Sequence, residues 1–298
     1  VRDFDLPVLP THTITYNILN ASGTPVGTFT TPVYLVSDKI DPRYSRLIGV
    51  DNGGNSYYNA LAVQLQRRLA HGFQGSLAYT WGHAIDDNMG NAGGNLFLGN
   101  NPPTTLFNGD YHGNHGDSGL DQRQRLVINW IYSLTFTHRT DAVSRLLINN
   151  WQLANITTIG TGLPLTESLS ISNTLTAAQI ASLGLPSNLT FTNTLNGFGG
   201  SGQVPFLGIN TLRLPNSYKT DARLSKILPF TERFRGTLSF EVFNVTNTPT
   251  ITGLISRGYT ASGLNIMPSP GLGTPTASSG FPDGTSARRA QASMRFEF

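Results

Sequence analysis

Aspartate and histidine side chains collect between residues 110 and 119, and they are the first candidates for chemistry in this sequence. Carboxylate and imidazole groups within one loop can converge on a metal ion. The weak metal candidates of this stretch are Asp110, His112, His115 and Asp117. Such spacing is easily met by accident in a polar loop, so we expect a solvated loop and no bound metal.

Two glycine-rich motifs share residue types with enzyme sites but lack the surroundings that such sites need. Gly116-Asp117-Ser118-Gly119 resembles the nucleophile segment of a serine protease, yet no base and no orienting acid can be identified. Gly197 to Gly202 matches the spacing of a dinucleotide-binding loop, which works only between a strand and a helix. Its flanks are rich in Ser, Thr and Asn. We therefore expect no cofactor and no enzymatic activity.

Composition narrows the class of protein. Charged residues make up 12% of the 298 residues, about half the usual share for a soluble globular domain. The net charge of +3 is small and scattered, which argues against nucleic acid as a partner. There is no cysteine, so disulfides, thiolate metal sites and a cysteine nucleophile are excluded.

The elements that must position any functional residue are predicted by a two-residue alternation of apolar and polar side chains. From Tyr57 to Leu69 most odd positions are apolar, namely Tyr57, Leu61, Val63, Leu65 and Leu69, and the even positions Gln64, Gln66 and Arg68 are polar. After a short turn at His71 and Gly72 the alternation resumes. We predict about eight to ten strands in all. The further strands lie near residues 126–136, 221–225, 234–242 and 289–298, and weaker ones near His12–Leu19, Gly27–Val36 and Trp151–Leu163.

The predicted connections fall into two length classes. Turns are short near residues 70–72 and 229–233 and of medium length at 137–149, whereas residues 86–120, 166–216 and 248–287 form long polar segments. We expect these segments to lack regular structure, except for a short helix from Thr176, as its cap, to Gly184. Long structureless connections argue against a compact soluble domain. Short turns at one end and long loops at the other are typical of an outer-membrane β-barrel, with the long loops outside the cell.

An antiparallel transmembrane β-barrel of the bacterial outer membrane is therefore the predicted fold. No run of about 18 apolar residues occurs, but a barrel crosses the bilayer with alternating strands that such windows miss. The apolar side would meet lipid and the polar side a wet lumen. The lumen candidates are Gln64, Gln66, Arg68, Arg123, Arg125, Asp221, Arg223, Arg235, Glu241, Arg289 and Arg295.

Two alternatives remain open at this point. A soluble β-sandwich binding module would also show alternation and frequent turns. It explains neither the two classes of connection nor the charged face, which a packed core would not tolerate. The other alternative is an autonomous small outer-membrane barrel that acts as a porin or an adhesin.

Several stretches resemble the carboxyl-terminal barrel region of TonB-dependent receptors, in particular the Oar-like group. The stretches that carry the resemblance are Ser56–Asp87, Asp121–Leu134, Asn150–Thr166, Ala222–Pro249 and Arg288–Phe298. They follow one another in the order of the family and reach the carboxyl terminus.

The resemblance implies a barrel of about 22 strands with an amino-terminal plug, which takes up a ligand with energy from the inner-membrane TonB complex. It also implies that the last strand, with Phe296 and Phe298, is the signal for the barrel-assembly machinery. The sequence starts at Val1 and shows no recognisable plug or TonB box. We therefore interpret residues 1–298 as the carboxyl-terminal part of one barrel domain, which would reach TonB through a missing amino-terminal region. The ligand, whether a small molecule, a peptide or a glycan, is not predicted.

Overall fold

The computed structural model consists mainly of β-strands. It describes residues 2–3, 12–33, 35, 37, 39–44, 47–49, 55–87, 115–139, 141–172, 175–189, 191, 194–196, 203–231, 234–279 and 287–298. Among these residues, no helix is both long enough and apolar enough to cross a lipid bilayer.

The described strands are numbered here in chain order. They are β1 Arg2–Asp3, β2 His12–Leu19, β3 Pro25–Val33, β4 Ile48–Gly49, β5 Ser56–Ala70, β6 Phe73–Asp86, β7 Gly116–Asp117, β8 Gln124–Leu134, β9 Trp151–Gly160, β10 Pro164–Leu165, β11 Ser168–Ile171, β12 Leu212–Arg213, β13 Ser217–Pro229, β14 Arg235–Phe243, β15 Thr250–Leu254, β16 Arg257–Ser262, β17 Asn265–Pro268, β18 Pro275–Ser279 and β19 Arg289–Glu297.

The largest sheet, which we call the wall, contains the long strands that the alternation predicted. Its order is β19-β14-β13-β9-β8-β6-β5, and the short strand β7 adds to the end of β6. All of its pairs are antiparallel. Among the described residues, no strand pairs with the outer edge of β5 or of β19. The wall is thus an open sheet of seven long strands.

The turn between β5 and β6 shows why the wall is built from tight hairpins. His71 and Gly72 both have positive φ, +54° and +77°, as a two-residue hairpin turn that matches the strand twist requires. A Cβ atom at Gly72 would lie 2.7 Å from the Ser133 carbonyl oxygen. Glycine is therefore needed at this turn for its backbone conformation and for its lack of a side chain.

The two ends of the wall differ as the sequence predicted. The connections after β5 and β13 are short and the one after β8 is of medium length, and all three lie at one end, which we call the turn end. The one after β8 contains a helical turn, Ser144–Ile148. The connections after β6, β9 and β14 are long and leave from the opposite end, the loop end.

One side of the wall, the apolar face, remains exposed along its whole width. The pairing aligns apolar residues in rows, for example Leu65 with Leu77 and Leu77 with Ile128. Leu65 is 63% exposed and Met294 is 54% exposed, although both lie within long strands. A soluble monomer rarely exposes a continuous apolar patch of this extent, so this face is suited to contact with lipid.

The buried hydrophobic residues lie in a second unit, which we call the loop unit. Its sheet has the order β11-β16-β17-β2-β3 and combines segments from three regions of the chain. Helix α1, Ala177–Ser182, packs against this sheet through Ile180. The core consists of Ile14, Tyr16, Val33, Leu35, Leu169, Leu175, Ile180, Leu185, Phe191, Leu195, Val204, Ala261 and Ile266.

The loop unit corrects two expectations from the sequence. Residues 166–216 and 248–287 were expected to lack regular structure, but the described parts contain several strands and supply much of a hydrophobic core. The predicted strands near His12–Leu19 and Gly27–Val36 exist as β2 and β3, yet they pair within the loop unit rather than in the wall. Their inward residues Ile14, Tyr16 and Val33 bury apolar surface against a core, as in a water-soluble domain.

The predicted helix is confirmed together with its cap. The Thr176 side chain accepts a hydrogen bond from the Gln179 backbone N–H, and the Gln179 side chain accepts one from the Thr176 N–H. This reciprocal arrangement satisfies donors that a helix start otherwise leaves free. Gly184, with φ +69°, follows the helix as predicted.

Candidate functional site

The side of the wall opposite the apolar face, which we call the polar face, carries most of the predicted site residues. Gln64, Gln66, Arg125, Asp221, Arg223, Arg235, Glu241, Arg289 and Arg295 occupy positions on this face. Arg68 lies where the pairing of β5 with β6 becomes irregular, between Arg67 and Ala70.

Arg123 differs from the other lumen candidates. It precedes β8, and its guanidinium binds side chains of the same connection instead of standing on the polar face. The alternation that suggested a lumen position extends through Arg123 in the sequence, but regular strand pairing stops at Gln124.

Three adjacent strands place their polar groups in register. Arg223 of β13 pairs with Glu241 of β14, which pairs with Gln291 of β19. The Arg223 Nη1 lies 3.5 Å from the Glu241 Oε1, and the Gln291 amide donates to the other oxygen of Glu241. Asp221 lies nearer the loop end, where its Oδ1 accepts a 2.8 Å hydrogen bond from the Asn244 N–H.

A row of hydroxyl groups follows on the same three strands and was not singled out by the sequence. Ser225, Ser239 and Ser293 pair directly with one another across β13, β14 and β19. The Ser225 and Ser239 Oγ atoms are 2.9 Å apart. Serine in an alternating strand is unremarkable locally, and only the register of three strands shows the row.

At the loop end, five charged or titratable side chains form what we call the rim cluster: His83, Asp117, Asp121, Arg123 and Arg213. Arg213 Nη2 donates to Asp117 at 2.5 Å and to Asp121 at 2.7 Å. Arg123 donates from Nε to Asp121 at 2.5 Å and from Nη2 to Asp117 at 2.8 Å. Because Arg213 belongs to the excursion between β9 and β13, the cluster ties that excursion to the wall.

Asp121 is the most deeply placed member of the rim cluster. Its side chain is 1% exposed, and its Oδ1 accepts a 2.8 Å hydrogen bond from the Ala84 N–H. Burial by itself would raise the pKa of Asp121, but this hydrogen bond and those from Arg213 and Arg123 outweigh it and hold the pKa below its ordinary value. Burial would also raise the pKa of Asp117, but its hydrogen bonds with His83, Arg213 and Arg123 outweigh burial, and the pKa of Asp117 is lowered as well.

The rim cluster contains the ligand groups of a metal site, but its two arginines offset the negative charge that such a site needs. One ligand atom each from His83, Asp117 and Asp121 lies within 4.8 Å of the others. Two guanidinium groups already occupy the carboxylate oxygens, and a divalent cation would be repelled by them. The arrangement is therefore an ion-pair network, in which His83 Nε2 lies 2.9 Å from Asp117 Oδ1 and 2.8 Å from Arg123 Nη2.

The weak metal candidates of the sequence are not brought together where the structure describes them. His115 Nδ1 lies 2.8 Å from Asp87 Oδ1, whereas Asp117 belongs to the rim cluster. Asp110 and His112 lie outside the described residues, as does the glycine-rich stretch 197–202. The Ser118 hydroxyl accepts a 3.3 Å hydrogen bond from the Leu120 N–H, which is a contact within a turn.

The two terminal aromatic residues lie at the turn end. Phe296 stands on the apolar face and pairs with Gly236. The Phe234 ring stacks on Phe296 and on Phe298, with centroids 5.7 and 5.8 Å apart.

Two features of the fold define a class of protein: long antiparallel strands expose one apolar face, and the long connections of the wall leave from one end. Comparison with known proteins agrees. A family model described as an outer membrane beta barrel domain matches residues 10–291. The chain therefore belongs to this family of outer-membrane β-barrels, and its place is the bacterial outer membrane. Neither the curated proteins nor the solved structures gave a match.

Proposed function

We propose that the chain forms the carboxyl-terminal part of the barrel of a TonB-dependent receptor or transporter of the Oar-like type, which binds or takes up a ligand and is not an enzyme. The observation that carries the proposal is the open wall, whose two free edges run in the same direction. It is supported by the resemblance of five stretches, including Ser56–Asp87 and Arg288–Phe298, to this family.

The direction of the edge strands argues for a larger barrel. β5 and β19 both run from the loop end to the turn end, because six antiparallel pairings separate them. If β5 closed directly on β19, the seam would be parallel, whereas bacterial single-chain barrels have an even number of antiparallel strands. Unpaired backbone groups are too costly in lipid for the edges to stay free. An odd number of further strands between β5 and β19 resolves both problems.

In such a barrel the polar face lines a wet lumen, and the lumen candidates of the polar face, which exclude Arg123, border it. The apolar face meets the lipid bilayer, and the loop unit stands outside the cell, where it can meet ligand. Before the barrel closes, the edge of β19 and the aromatic residues Phe296 and Phe298 would be available to the barrel-assembly machinery. Contact with the TonB complex would run through an amino-terminal plug region beyond these residues.

Cross-linking tests how the wall closes, and the absence of cysteine in this chain makes the experiment clean. Leu65→Cys with Met294→Cys places one thiol on each edge strand. As a positive control, Leu65→Cys with Leu77→Cys places thiols on paired residues of β5 and β6. In outer membranes we expect the control to cross-link with a short bifunctional reagent and the edge pair not to react. Efficient cross-linking of the edge pair would show direct closure and contradict the larger barrel.

The TonB step is tested with the full-length protein. We expect it to co-purify with the periplasmic domain of TonB and to lose this binding when the region upstream of Val1 is removed. A full-length protein that lacks a plug and does not bind TonB would instead be an autonomous porin or adhesin.

A further inference from the structure

We infer that the polar face of β13, β14 and β19 binds solutes that carry an oxyanion, such as a phosphate, sulfonate or carboxylate group. The inference rests on the proposed function, because it requires that the polar face borders water, and it adds the chemical class of the ligand. It concerns one defined surface, which we call the serine–arginine strip: Ser225, Ser239 and Ser293 with Arg223, Arg235 and Arg295.

The serine row supplies short, neutral hydrogen-bond donors at the middle of the strip: Ser239 is half-buried and faces the ligand, and Ser225, which is only 4% exposed, contributes through its hydrogen bond with Ser239. Neighbouring strands are about 4.8 Å apart, so three hydroxyl groups lie within about 10 Å of one another. Ser225 and Ser239 are bonded at 2.9 Å, and a hydroxyl can rotate to donate to a ligand while it accepts from its neighbour. Ser293, at the edge of the row, is exposed.

Arginine side chains flank the serine row on both sides. Arg223 is two residues from Ser225 along β13, and Arg295 is two residues from Ser293 along β19, each about 7 Å away. Arg235 lies one row beyond Arg295, opposite Glu297. Guanidinium groups bind oxyanions through paired N–H donors, and the long side chains can reach the row.

The acidic residues nearby do not neutralise the strip. The Arg223–Glu241 contact is 3.5 Å long, and Arg295 and Glu297 are both exposed, so these pairs leave donors free and contribute little by themselves. Within the described part of the chain, Arg235 has no acidic partner in contact. Over the wall as a whole, basic residues of the polar face outnumber acidic ones: Arg125, Lys219, Arg223, Arg235, Arg289 and Arg295 against Asp86, Asp221, Glu241 and Glu297.

A positive surface that lines a cleft or pore with low-dielectric walls concentrates anions more strongly than the same charges would on an open surface. Rings of Arg and Lys are a known means by which pores select anions and phosphate. The serine row adds donors that act at short range, so the strip offers both attraction and specific hydrogen bonds to an oxyanion.

The test uses charged thiol reagents on the full-length protein in outer-membrane vesicles. Ser293→Cys places one reporter thiol in the strip, and Ala21→Cys places the control thiol in the exposed turn between β2 and β3. Each is labelled with a methanethiosulfonate that carries a sulfonate and with one that carries a trimethylammonium group. The measured quantity is the ratio of the two rates at Ser293→Cys divided by the ratio at Ala21→Cys.

We expect this normalised ratio to favour the sulfonate reagent by about tenfold or more at low salt. It should fall towards one in 1 M KCl, where the Debye length shrinks to about 3 Å. Arg223→Gln combined with Arg295→Gln should remove most of the preference. Arg67→Gln, which lies on the apolar face over the Phe73 ring, is the matched control and should leave the ratio unchanged.

Competition with phosphate distinguishes binding of an oxyanion at the strip from electrostatic accumulation of anions near it. Inorganic phosphate, added at constant ionic strength, should slow the sulfonate reagent at Ser293→Cys and not at Ala21→Cys. A normalised ratio of one, or no effect of phosphate, would overturn the oxyanion site while leaving the wet lumen in place. If neither reagent reaches Ser293→Cys although both label Ala21→Cys, the polar face does not border water, and the proposed receptor function fails with it.

Discussion

The wall and the loop unit solve the same problem, the burial of apolar surface, in two different solvents. The wall exposes Leu65, Met294 and their neighbours, and none of the buried hydrophobic residues of the described chain lies in a wall strand. The loop unit encloses Leu195, Ile14 and the rest of its core completely. In the wall, contact with lipid takes the place of a hydrophobic core. The loop unit lies in water and therefore buries its apolar side chains in a core of its own.

This difference shows that the long connections of the chain are not simple loops. Segments from three regions fold together, and the loop unit is held at the loop end of the wall through Arg213 and through Asn210, whose side chain donates to the Asp117 carbonyl oxygen at 2.6 Å. A ligand that arrives from outside would therefore meet a packed surface. Matched substitutions in the wall and in the loop unit test whether the two regions are stabilised in these different ways.

The largest effect is expected from leucine truncation in the loop unit. Leu195→Ala removes a side chain that is fully buried and should destabilise the loop unit by about 2 to 5 kcal/mol, because a cavity remains in a packed core. Leu65→Ala, in the lipid-facing row, is the matched control and should cost much less. Protease sensitivity of the loop unit and heat-modifiable gel migration of the barrel report on the two regions separately. Equal sensitivity to both changes would contradict the division into two regions.

A charge placed on the apolar face should have the next largest effect. Val63→Arg, within β5, should cost about 2 to 4 kcal/mol because the guanidinium would face hydrocarbon, and it should reduce the amount of folded, heat-modifiable protein. Gln64→Arg places the same charge on the neighbouring residue of the polar face and should be tolerated. If the two variants accumulate equally in the outer membrane, the assignment of faces is wrong.

A smaller effect is expected where the two regions join. Arg213→Gln removes one guanidinium from the buried Asp121 but leaves Arg123 and the Ala84 N–H, so the loss should be about 1 to 3 kcal/mol. Hydrogen exchange should rise around residues 115–123 and 205–216, while the strands of the wall stay protected. Arg43→Gln breaks an exposed contact with Asp41 and should not change hydrogen exchange in either of these two regions.

Acid should weaken the ion pairs of the rim cluster that hold the loop unit to the wall. At neutral pH these ion pairs should be intact. The pKa values of Asp117 and Asp121 are lowered in the folded protein, so their contribution is complete above the ordinary aspartate pKa of about 4 and is lost as the pH falls below it. The protection of amides near residues 115–123, relative to their intrinsic exchange rates at each pH, should therefore fall as the pH is lowered from about 4 through the lowered pKa values of the two carboxyl groups. Asp121→Asn should flatten this dependence. If protection near residues 115–123 is instead lost as the pH rises from about 5, the ion-pair account is wrong.

Local patterns predicted the parts of the fold that depend on neighbouring residues. The predicted strand from Tyr57 to Leu69 is β5, which extends one residue further at each end. The Thr176 cap and the Gly184 stop were also predicted, because a helix start depends on residues three positions apart. The polar positions of the wall followed from the same two-residue period.

Contacts between distant segments were not predicted. In the loop unit, β11 pairs with β16 and β17 pairs with β2, so its short strands depend on partners that are far apart in the chain. Arg213 reaches Asp117 across 96 positions, and no spacing rule points to that pair. The serine row likewise needs the register of three strands.

The strands of the wall, their apolar sides and the tight turns could be predicted from the sequence. They depend on the side-chain period and on turn residues, which act over a few positions. Three features became visible in the tertiary structure alone: the long connections share a core, the rim cluster joins them to the wall, and the two edge strands run in the same direction. These features depend on which distant segments meet, and that is settled by the collective burial of apolar surface and the pairing of charges rather than by any local pattern.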